Sequence, residues 1–491
     1  MRGPWRIDWA RVSSRYLPFA EGVSDHLPMG RLMRLALFQL TVGMVAVLTV
    51  GTLNRVMIVE IGVGAWLVSC MVALPLLVAP FRALIGWKSD VHRSPLGWRR
   101  VPFIWMGSAL QFAGLAIMPF AIVLLGGQTT LQLVAGHVSA ALAFLLAGAG
   151  AQTVQTAGLA LATDLAPASA RPRVVAMMYA LLLLGMVCSG LVFSALLADY
   201  SATRLVQVVQ GTAAVTLLLN LVAVWKQEPR RRRDHQAAVQ AIGFGQQWQT
   251  FTHAVRARRF LLAVGLGTAA FNMQDVILEP FGAEVLGLSV SHTTLLTGFM
   301  AGASLVAFGW AARRLSAGTD ALRLAAWGVL VGIAGFTCVI FADPVGWPAL
   351  FLVGVGLIGL GAGLFSVGTL TCAMSLDGAG MNGMVLGAWG GAVAAASGLA
   401  VALGGAVRDA VSSAGQQGAL GEVLTYVGAG YEVVYHLELI LLFGTLVVLG
   451  PLVGRVQQDA AQSTTPAQPS SSTSPGRWRR RRRWRWAQTP G

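Results

Sequence analysis

Charge is scarce in this chain. Asp, Glu, Lys and Arg make up 11% of its 491 residues, while 55% are hydrophobic. A typical soluble protein carries roughly 25% charged residues. A water-soluble globule of this length would lack the polar surface to cover its core, so composition excludes one. Cysteine is scarce too. Cys70, Cys188, Cys338 and Cys372 all lie in apolar runs, and no Cys-x-x-Cys pair occurs. That excludes a disulfide or zinc framework and leaves small, buried apolar side chains. Gly-x-Ser-x-Gly, His-Glu-x-x-His, a phosphate loop and clustered Cys/His are all missing, so neither an enzyme nor a metal protein is expected. Residues 1–30 carry Arg2, Arg6, Asp8, Arg11, Arg15, Glu21 and Asp25 before any long apolar run. A cleavable signal peptide is therefore not expected.

Long apolar runs are what the chain has in abundance. A spanning helix needs about 20 apolar residues. By that rule the first half holds spans near 35–60, 63–86, 101–125, 131–163, 174–198 and 204–225. The second half holds them near 260–286, 292–312, 322–342, 347–376, 382–406 and 432–455. The 59 glycines suit close helix packing in lipid. The expected fold class is an all-α membrane protein of about twelve transmembrane helices. The expected organisation is a cytoplasmic segment 1–30, a six-helix half 31–225, a basic linker 226–259, a second half 260–455 and a tail 456–491. In the first segment Trp5, Trp9, Val12 and Tyr16 share one helical face beside arginines. That pattern fits an amphipathic helix on the membrane surface or a disordered end.

The basic residues set the expected orientation. With the N-terminus inside, inner loops receive Lys88, Arg93, Arg99, Arg100, Arg171 and Arg173. They also receive the cluster from Lys226 to Arg259, then Arg313, Arg314 and Arg323. Outer loops hold only Arg204 and Arg408. Both termini are then cytoplasmic. The formal charge of +15 reads as this bias plus the tail, so no nucleic-acid partner is expected.

An internal repeat joins the halves. Gly148-Ala-Gly150, Thr153, Val154, Thr156, Ala160 and Asp164 match Gly361-Ala-Gly363, Ser366, Val367, Thr369, Ala373 and Asp377 at an offset of 213. Asn54-Arg55…Glu60 similarly precedes Gln274-Asp275…Glu279 by about 220 residues. Two pseudo-symmetric six-helix halves joined by a basic loop is the plan of major-facilitator transporters. Gly86-x-x-x-Asp90 followed by Gly97-x-Arg99-Arg100 resembles the cytoplasmic gating signature of that superfamily. Extra residues, including His92, Arg93 and Pro95, separate its two parts. The resemblance implies that Asp90 caps a neighbouring helix and that the arginines pair with acids in the same half.

Ionisable groups inside spans are costly, so they usually have partners or a function. Arg55, Glu60, Arg82, Asp275 and Glu279 are the intramembrane candidates, with Asn54 and Gln274 beside them. Arg55 is expected to pair with Asp275 or Glu279 across the two halves. Alternatively, Glu60 and Glu279 mark the outer interface and Arg82 snorkels to the inner one. His137, His292 and His436 fall at or within spans. Each could ligate the magnesium of a chlorophyll-type pigment through a neutral imidazole, or serve no such role.

Four stretches carry a specific family likeness. They are Gly51-Thr-Leu-Asn-Arg-Val-Met-Ile-Val-Glu60, Ala73-Leu-Pro-Leu-Leu-Val-Ala-Pro-Phe-Arg-Ala-Leu-Ile-Gly86, Ser89-Asp-Val-His-Arg-Ser-Pro-Leu-Gly-Trp-Arg-Arg-Val-Pro102 and Met273-Gln-Asp-Val-Ile-Leu-Glu-Pro-Phe-Gly282. They resemble the bacteriochlorophyll delivery family, the PucC and LhaA proteins of purple phototrophic bacteria, over roughly residues 16–455. His292 stands where the family leads one to expect a small residue. The Tyr16-Leu-Pro-Phe-Ala20 region is more similar to the core-antenna type. The resemblance implies a major-facilitator fold in the cytoplasmic or intracytoplasmic membrane. It implies a job in assembling the light-harvesting antenna, with bacteriochlorophyll transiently bound and passed on. The implied partners are the antenna alpha and beta polypeptides, with the reaction centre or pigment-synthesis enzymes as further ones. A proton-coupled secondary transporter of a small or tetrapyrrole substrate, and a passive scaffold, remain open.

The tail has its own character. Gln462 to Gly476 is rich in Ser, Thr, Pro and Gln and reads as linker. Arg477-Trp478 through Trp484-Arg-Trp486 joins arginine, which anionic lipid attracts, to tryptophan, which prefers the interface. Anionic lipid is the expected partner of this segment; RNA and no partner at all are the alternatives.

Overall fold

The computed structural model describes residues 29–77, 89, 98–166, 171–228, 255–375, 382–419 and 425–453. Among them every regular element is helical and there is no strand. The membrane helices are α1 (Gly30–Glu60), α2 (Ala65–Leu77), α3 (Val101–Leu125), α4 (Thr130–Leu165), α5 (Arg171–Leu196) and α6 (Ala202–Val224). They continue with α7 (Val255–Glu284), α8 (Val290–Ser316), α9 (Ala321–Val345), α10 (Pro348–Ser375), α11 (Asn382–Gln416) and α12 (Ala429–Leu449). All but α2 are long and apolar enough to cross a membrane within the described residues.

Several helices run past the spans read from hydropathy. The helix α11 has 35 residues, about 50 Å at 1.5 Å per residue, against a hydrocarbon core of about 30 Å. Hydropathy sees only the apolar centre of such a helix. For that reason Arg408, expected in an outer loop, lies inside α11. Local chemistry fixes the ends. Thr129 and Gln132 form a capping box on α4, and Ser201, Ser289 and Asp320 cap α6, α8 and α9. Gly346 closes α9 at φ 64°, a conformation that favours glycine.

Taken as a first group α1–α6 and a second group α7–α12, the helices pack both within each group and between the two, where α2 meets α11 and α5 meets α8. In each group the tightest pair is joined through glycine. A Cβ at Gly114 of α3 would lie 2.3 Å from the Ala147 nitrogen of α4, and one at Gly335 of α9 would lie 2.8 Å from the Ile358 nitrogen of α10. Backbones this close leave no room for larger side chains.

The same contacts correct the register of the repeat. Gly148 packs on Pro75 of α2, and Gly359 packs on Met300 of α8. Gly150 packs on α3 at Gly107 and Gln111, and Gly361 packs on α9 at Gly328 and Gly332. Equivalent faces are therefore 211 residues apart, not 213. A slip of two residues turns a helix by about 200°. The Gly-Ala-Gly match overlays opposite faces because both helices carry glycine on each of two packed sides.

Where the two groups meet, small residues again set the distance. Gly190 of α5 touches Gly298 of α8, and Gly405 of α11 packs on Ser69 and Ala65 of α2. Ser194 and Ser291 share a 2.9 Å hydrogen bond, and the Trp66 N–H donates to Asp409 at 2.7 Å. These contacts gather at the arginine-poor end of the bundle, the end bearing Glu60, Tyr200 and Gln416.

Candidate intramembrane site

The helices α1 and α7 face each other, and both leave α-geometry at corresponding places. In α1, Val47–Leu53 and Val56–Glu60 are π-helical. In α7, Met273–Val276 is a 3₁₀ turn between two α-segments. Paired interruptions in the two halves of a transporter fold point to a binding site, because freed backbone groups become available there. Here a side chain of α1 takes up carbonyls at the break in α7. Asn54, fully buried, donates from Nδ2 to the carbonyl of Val276 at 3.2 Å and approaches that of Asp275 at 3.5 Å. Its Oδ1 accepts from the Arg55 N–H at 2.5 Å. Thr52 and Thr294 share a 3.3 Å contact beside them. Gly51 admits this approach, since a Cβ there would sit 2.5 Å from Thr297 Oγ1.

The expected pairing of Arg55 with Asp275 or Glu279 is not what forms. Arg55 is 5% exposed and its guanidinium bonds Glu60 of the same helix. The π-turns explain this. They place residues five apart on one face, so Glu60 reaches back along its own helix. Burial, and then the Glu60 carboxylate, push the nearby Tyr200 phenol above its usual value. Exchanging the partners, Arg55→Glu with Glu60→Arg, is expected to recover most of the thermal stability lost by either single change. Arg55→Asp with Asp275→Arg is expected to recover none; melting curves in detergent compare them.

Glu279 follows Asp275 by four residues on α7 and lies within its electrostatic range. It is 2% exposed and accepts from the Thr297 hydroxyl of α8, leaving Oε2 unpartnered. Asp275 accepts from the Gln274 side chain at 2.9 Å and is only partly buried. A third carboxylate, absent from the sequence-based set, completes the group. Glu438 of α12 is fully buried, lies beside the Gln274 backbone and sits within electrostatic range of Asp275. Neither of its oxygens makes a hydrogen bond of normal geometry. The apolar run around it, Leu437 to Leu442, was the available signal.

A second network escaped the sequence reading as well. Arg408 of α11 pairs with Glu284 of α7 at 2.6 Å and Asp409 at 2.9 Å, and donates to the Tyr431 hydroxyl at 2.8 Å. Tyr431 donates in turn to Glu284 at 2.8 Å. Through Asp409 and the Trp66 N–H this network ties α7, α11 and α12 to α2 of the other group.

The three histidines are not brought together. His292 is exposed and bonds Ser289 at 2.8 Å in a helix cap. His436 is exposed on α12 and bonds the Glu432 carbonyl at 2.7 Å, while half-buried His137 lies on α4. Among the described residues no group of His, Cys, Asp and Glu could hold a metal ion.

At the arginine-rich end, Arg100 bonds Asp164 at 3.1 Å and Ser89, so an arginine does pair with an acid of its own half. The acid that caps α3 is Glu228, which follows α6. Its carboxylate accepts from the N–H groups of Arg99 at 2.6 Å, Arg100 at 3.0 Å and Val101 at 2.9 Å. The positive end of α3 explains its place. Glu228→Ala should cost about 1–2 kcal/mol, read as a lower melting temperature with unchanged helix content. Arg82, Gly86, Asp90, Gly97, Arg477, Trp478, Trp484 and Trp486 lie outside the described residues.

A groove of about 630 Å³ opens between α1, α5 and α6. Its lining is mostly apolar, from Leu40, Met44, Val192, Phe193 and Leu219, with Arg204 among the few polar groups. Gly211 and Cys188 also line it, and both are exposed.

Comparison with known proteins agrees with this architecture. A family model described as PUCC protein matches residues 52–457. A protein of the puhA–bchM intergenic region of Rhodobacter capsulatus is 50% identical over 446 residues, 90% of this chain and 93% of that protein. Protein PucC of Rhodovulum sulfidophilum is 50% identical over 408 residues, 82% of this chain and 90% of its own. The bacteriochlorophyll synthase 44.5 kDa chain of Rhodobacter capsulatus is 30% identical over 397 residues, covering 77% of this chain and 87% of its own. Among solved structures, a bacterial homologue of the lysosomal transporter Spinster, inward-facing and unoccupied, aligns with TM-score 0.62 at 15% identity, covering 89% of this chain and 98% of that one. A point mutant of the nucleoside transporter NupG aligns with TM-score 0.63 at 13% identity, covering 85% and 99%. These structures show the fold, that of the major-facilitator transporters. The chain belongs to the PucC family, transporter-like membrane proteins associated with photosynthetic membrane biogenesis in purple bacteria.

Proposed function

We propose that the chain is an assembly factor for the bacterial light-harvesting antenna, the core antenna in particular, that binds bacteriochlorophyll and passes it to antenna alpha and beta polypeptides. The observation that carries this reading is the family match from residue 52 to 457, which reaches all twelve helices. The groove between α1, α5 and α6 supports it physically. It is apolar and lined by residues exposed outside the bundle, such as Val192 and Val215. An opening of that kind admits an oil-soluble, long-tailed pigment from the bilayer more readily than a hydrated solute. The reaction centre and the pigment-synthesis enzymes are further partners under this reading.

The arginine-rich end faces the cytoplasm, with both termini on that side and the Arg477–Trp486 segment on anionic lipid. Domain limits at about residues 30, 225, 259 and 455 belong to the same reading. A proton-coupled secondary transporter is the second reading, favoured by the buried carboxylates of the candidate site.

Removal of the chain from a pigment-producing host, followed by complementation, tests the first reading. Antenna absorbance is expected to fall strongly without the chain and to return with the unaltered sequence. Gly211→Phe should reach the membrane at normal level and fail to restore absorbance. A Cβ at Gly211 meets no atom within 4 Å, so the added side chain starts in open space on the groove lining. Unchanged absorbance on deletion would sink the proposal.

A further inference from the structure

Three carboxyl groups converge on the break in α7, and what surrounds them is unusual. Glu438 and Glu279 are 0% and 2% exposed, whereas Asp275 is partly exposed. Ionised carboxylates in such a place need a cation or several donors, since removing each charge from water costs several kcal/mol in real proteins.

The neighbours supply no cation and few donors. On α7 itself, Gln274 and the Thr297 hydroxyl of α8 give one hydrogen bond each, to Asp275 and Glu279. From α12 come Glu438 and Tyr435, whose own hydroxyl is buried and unpartnered. From α1 come Asn54, bonded to backbone carbonyls and within hydrogen-bonding reach of Glu279, and Arg55, whose ion pair is with Glu60. From α11 comes Ser397, bonded to Asn272. Arg408 and Tyr431 are bound into the separate Glu284 network. No Lys, Arg or His among the described residues pairs with Asp275, Glu279 or Glu438.

A metal ion is a poor occupant. Such an ion needs ligands converging within about 2–2.6 Å, and no such grouping exists among the described residues. A proton needs only one oxygen. It would also give the unpartnered oxygens a donor: a protonated Glu438 can donate where an ionised one can only accept.

We propose that Asp275, Glu279 and Glu438 form a proton-binding site at the 3₁₀ break of α7. Each carboxylate takes one proton from water and returns it, with no other bond made or broken. Asp275, the least buried of the three, is the point of exchange with water, and Glu279 and Glu438 hold protons behind it. The site stands independently of pigment handling and would serve either reading of the function. Three negative charges held together would repel, and the α7 turn carrying Asp275 and Val276 is also the turn that Asn54 grips from the other half. The state of charge therefore bears on the joint between the halves.

Infrared spectroscopy of the full-length chain in lipid nanodiscs reads protonated carboxyl groups directly, through a carbonyl band that shifts in heavy water. The unaltered protein should show that band and lose it progressively as pH is raised. Asp275→Asn, Glu279→Gln and Glu438→Gln should each remove part of it, and the triple variant most of it. Glu284→Gln, in the Arg408 ion pair, should leave its intensity and titration unchanged. The single variants keep the test decisive if the triple variant does not fold. Absence of the band at every pH would overturn the proposal, as would a band that none of the three substitutions alters.

Discussion

Replacing Gly114 by leucine is expected to remove the folded protein from the membrane. A Cβ at this position would lie 2.3 Å from the Ala147 nitrogen and 2.6 Å from the Ala143 carbonyl oxygen, both backbone atoms of α4. Neither can move without separating α3 from α4. In lipid there is no hydrophobic drive to restore such a contact, because packing itself holds helices together. Overpacking a well-filled interior costs about 1–3 kcal/mol even where side chains can yield, and here only backbone is available to move. Gly335→Leu, at the equivalent position in the second half, is expected to behave the same way. Gly309 and Gly444 meet nothing within 4 Å, and their alanine variants should accumulate at normal level. Size-exclusion profiles of fluorescently tagged variants separate the outcomes. A monodisperse, abundant Gly114→Leu protein would show that α3 and α4 do not pack as described.

The second large effect is expected at Arg408. Its side chain is 15% exposed and meets Glu284, Asp409 and Tyr431. Removing one partner of a buried ion pair typically costs about 3–5 kcal/mol, because the charge left behind has no compensation. Arg408→Met leaves two carboxylates facing each other near the arginine-poor end and should lower the melting temperature sharply. Adding Glu284→Gln and Asp409→Asn to Arg408→Met should recover much of the loss by removing the stranded charges. A single variant as stable as the parent would mean that water already satisfies Glu284 and Asp409.

Much of the architecture can be read from the residues. Hydropathy finds the spans because a bilayer demands about 20 apolar residues in a row, and the described residues form eleven such helices plus the shorter α2. The site is partly legible. Asn54, Gln274, Asp275 and Glu279 stand out as polar groups in apolar runs, and the structure gathers them at one joint. Glu438 carries the same signal, but α6, the counterpart of α12 in the first half, has no acidic residue to draw attention to it. What cannot be read is pairing. Arg55 turns to Glu60 because π-turns re-aim it, and nothing in a run such as Val56-Met-Ile-Val59 announces a π-helix. The repeat fails in register for a related reason. Glycine-rich helices carry small residues on two faces, so an alignment can be two residues out and still match.

Whether this transporter-like fold handles a pigment is tested most directly by purification. The intact chain, isolated in mild detergent from a pigment-producing host, is expected to carry bacteriochlorophyll absorption at a fixed ratio of pigment to protein. A colourless preparation, made from cells in which the same tagged chain fully restores the antenna, would contradict pigment binding.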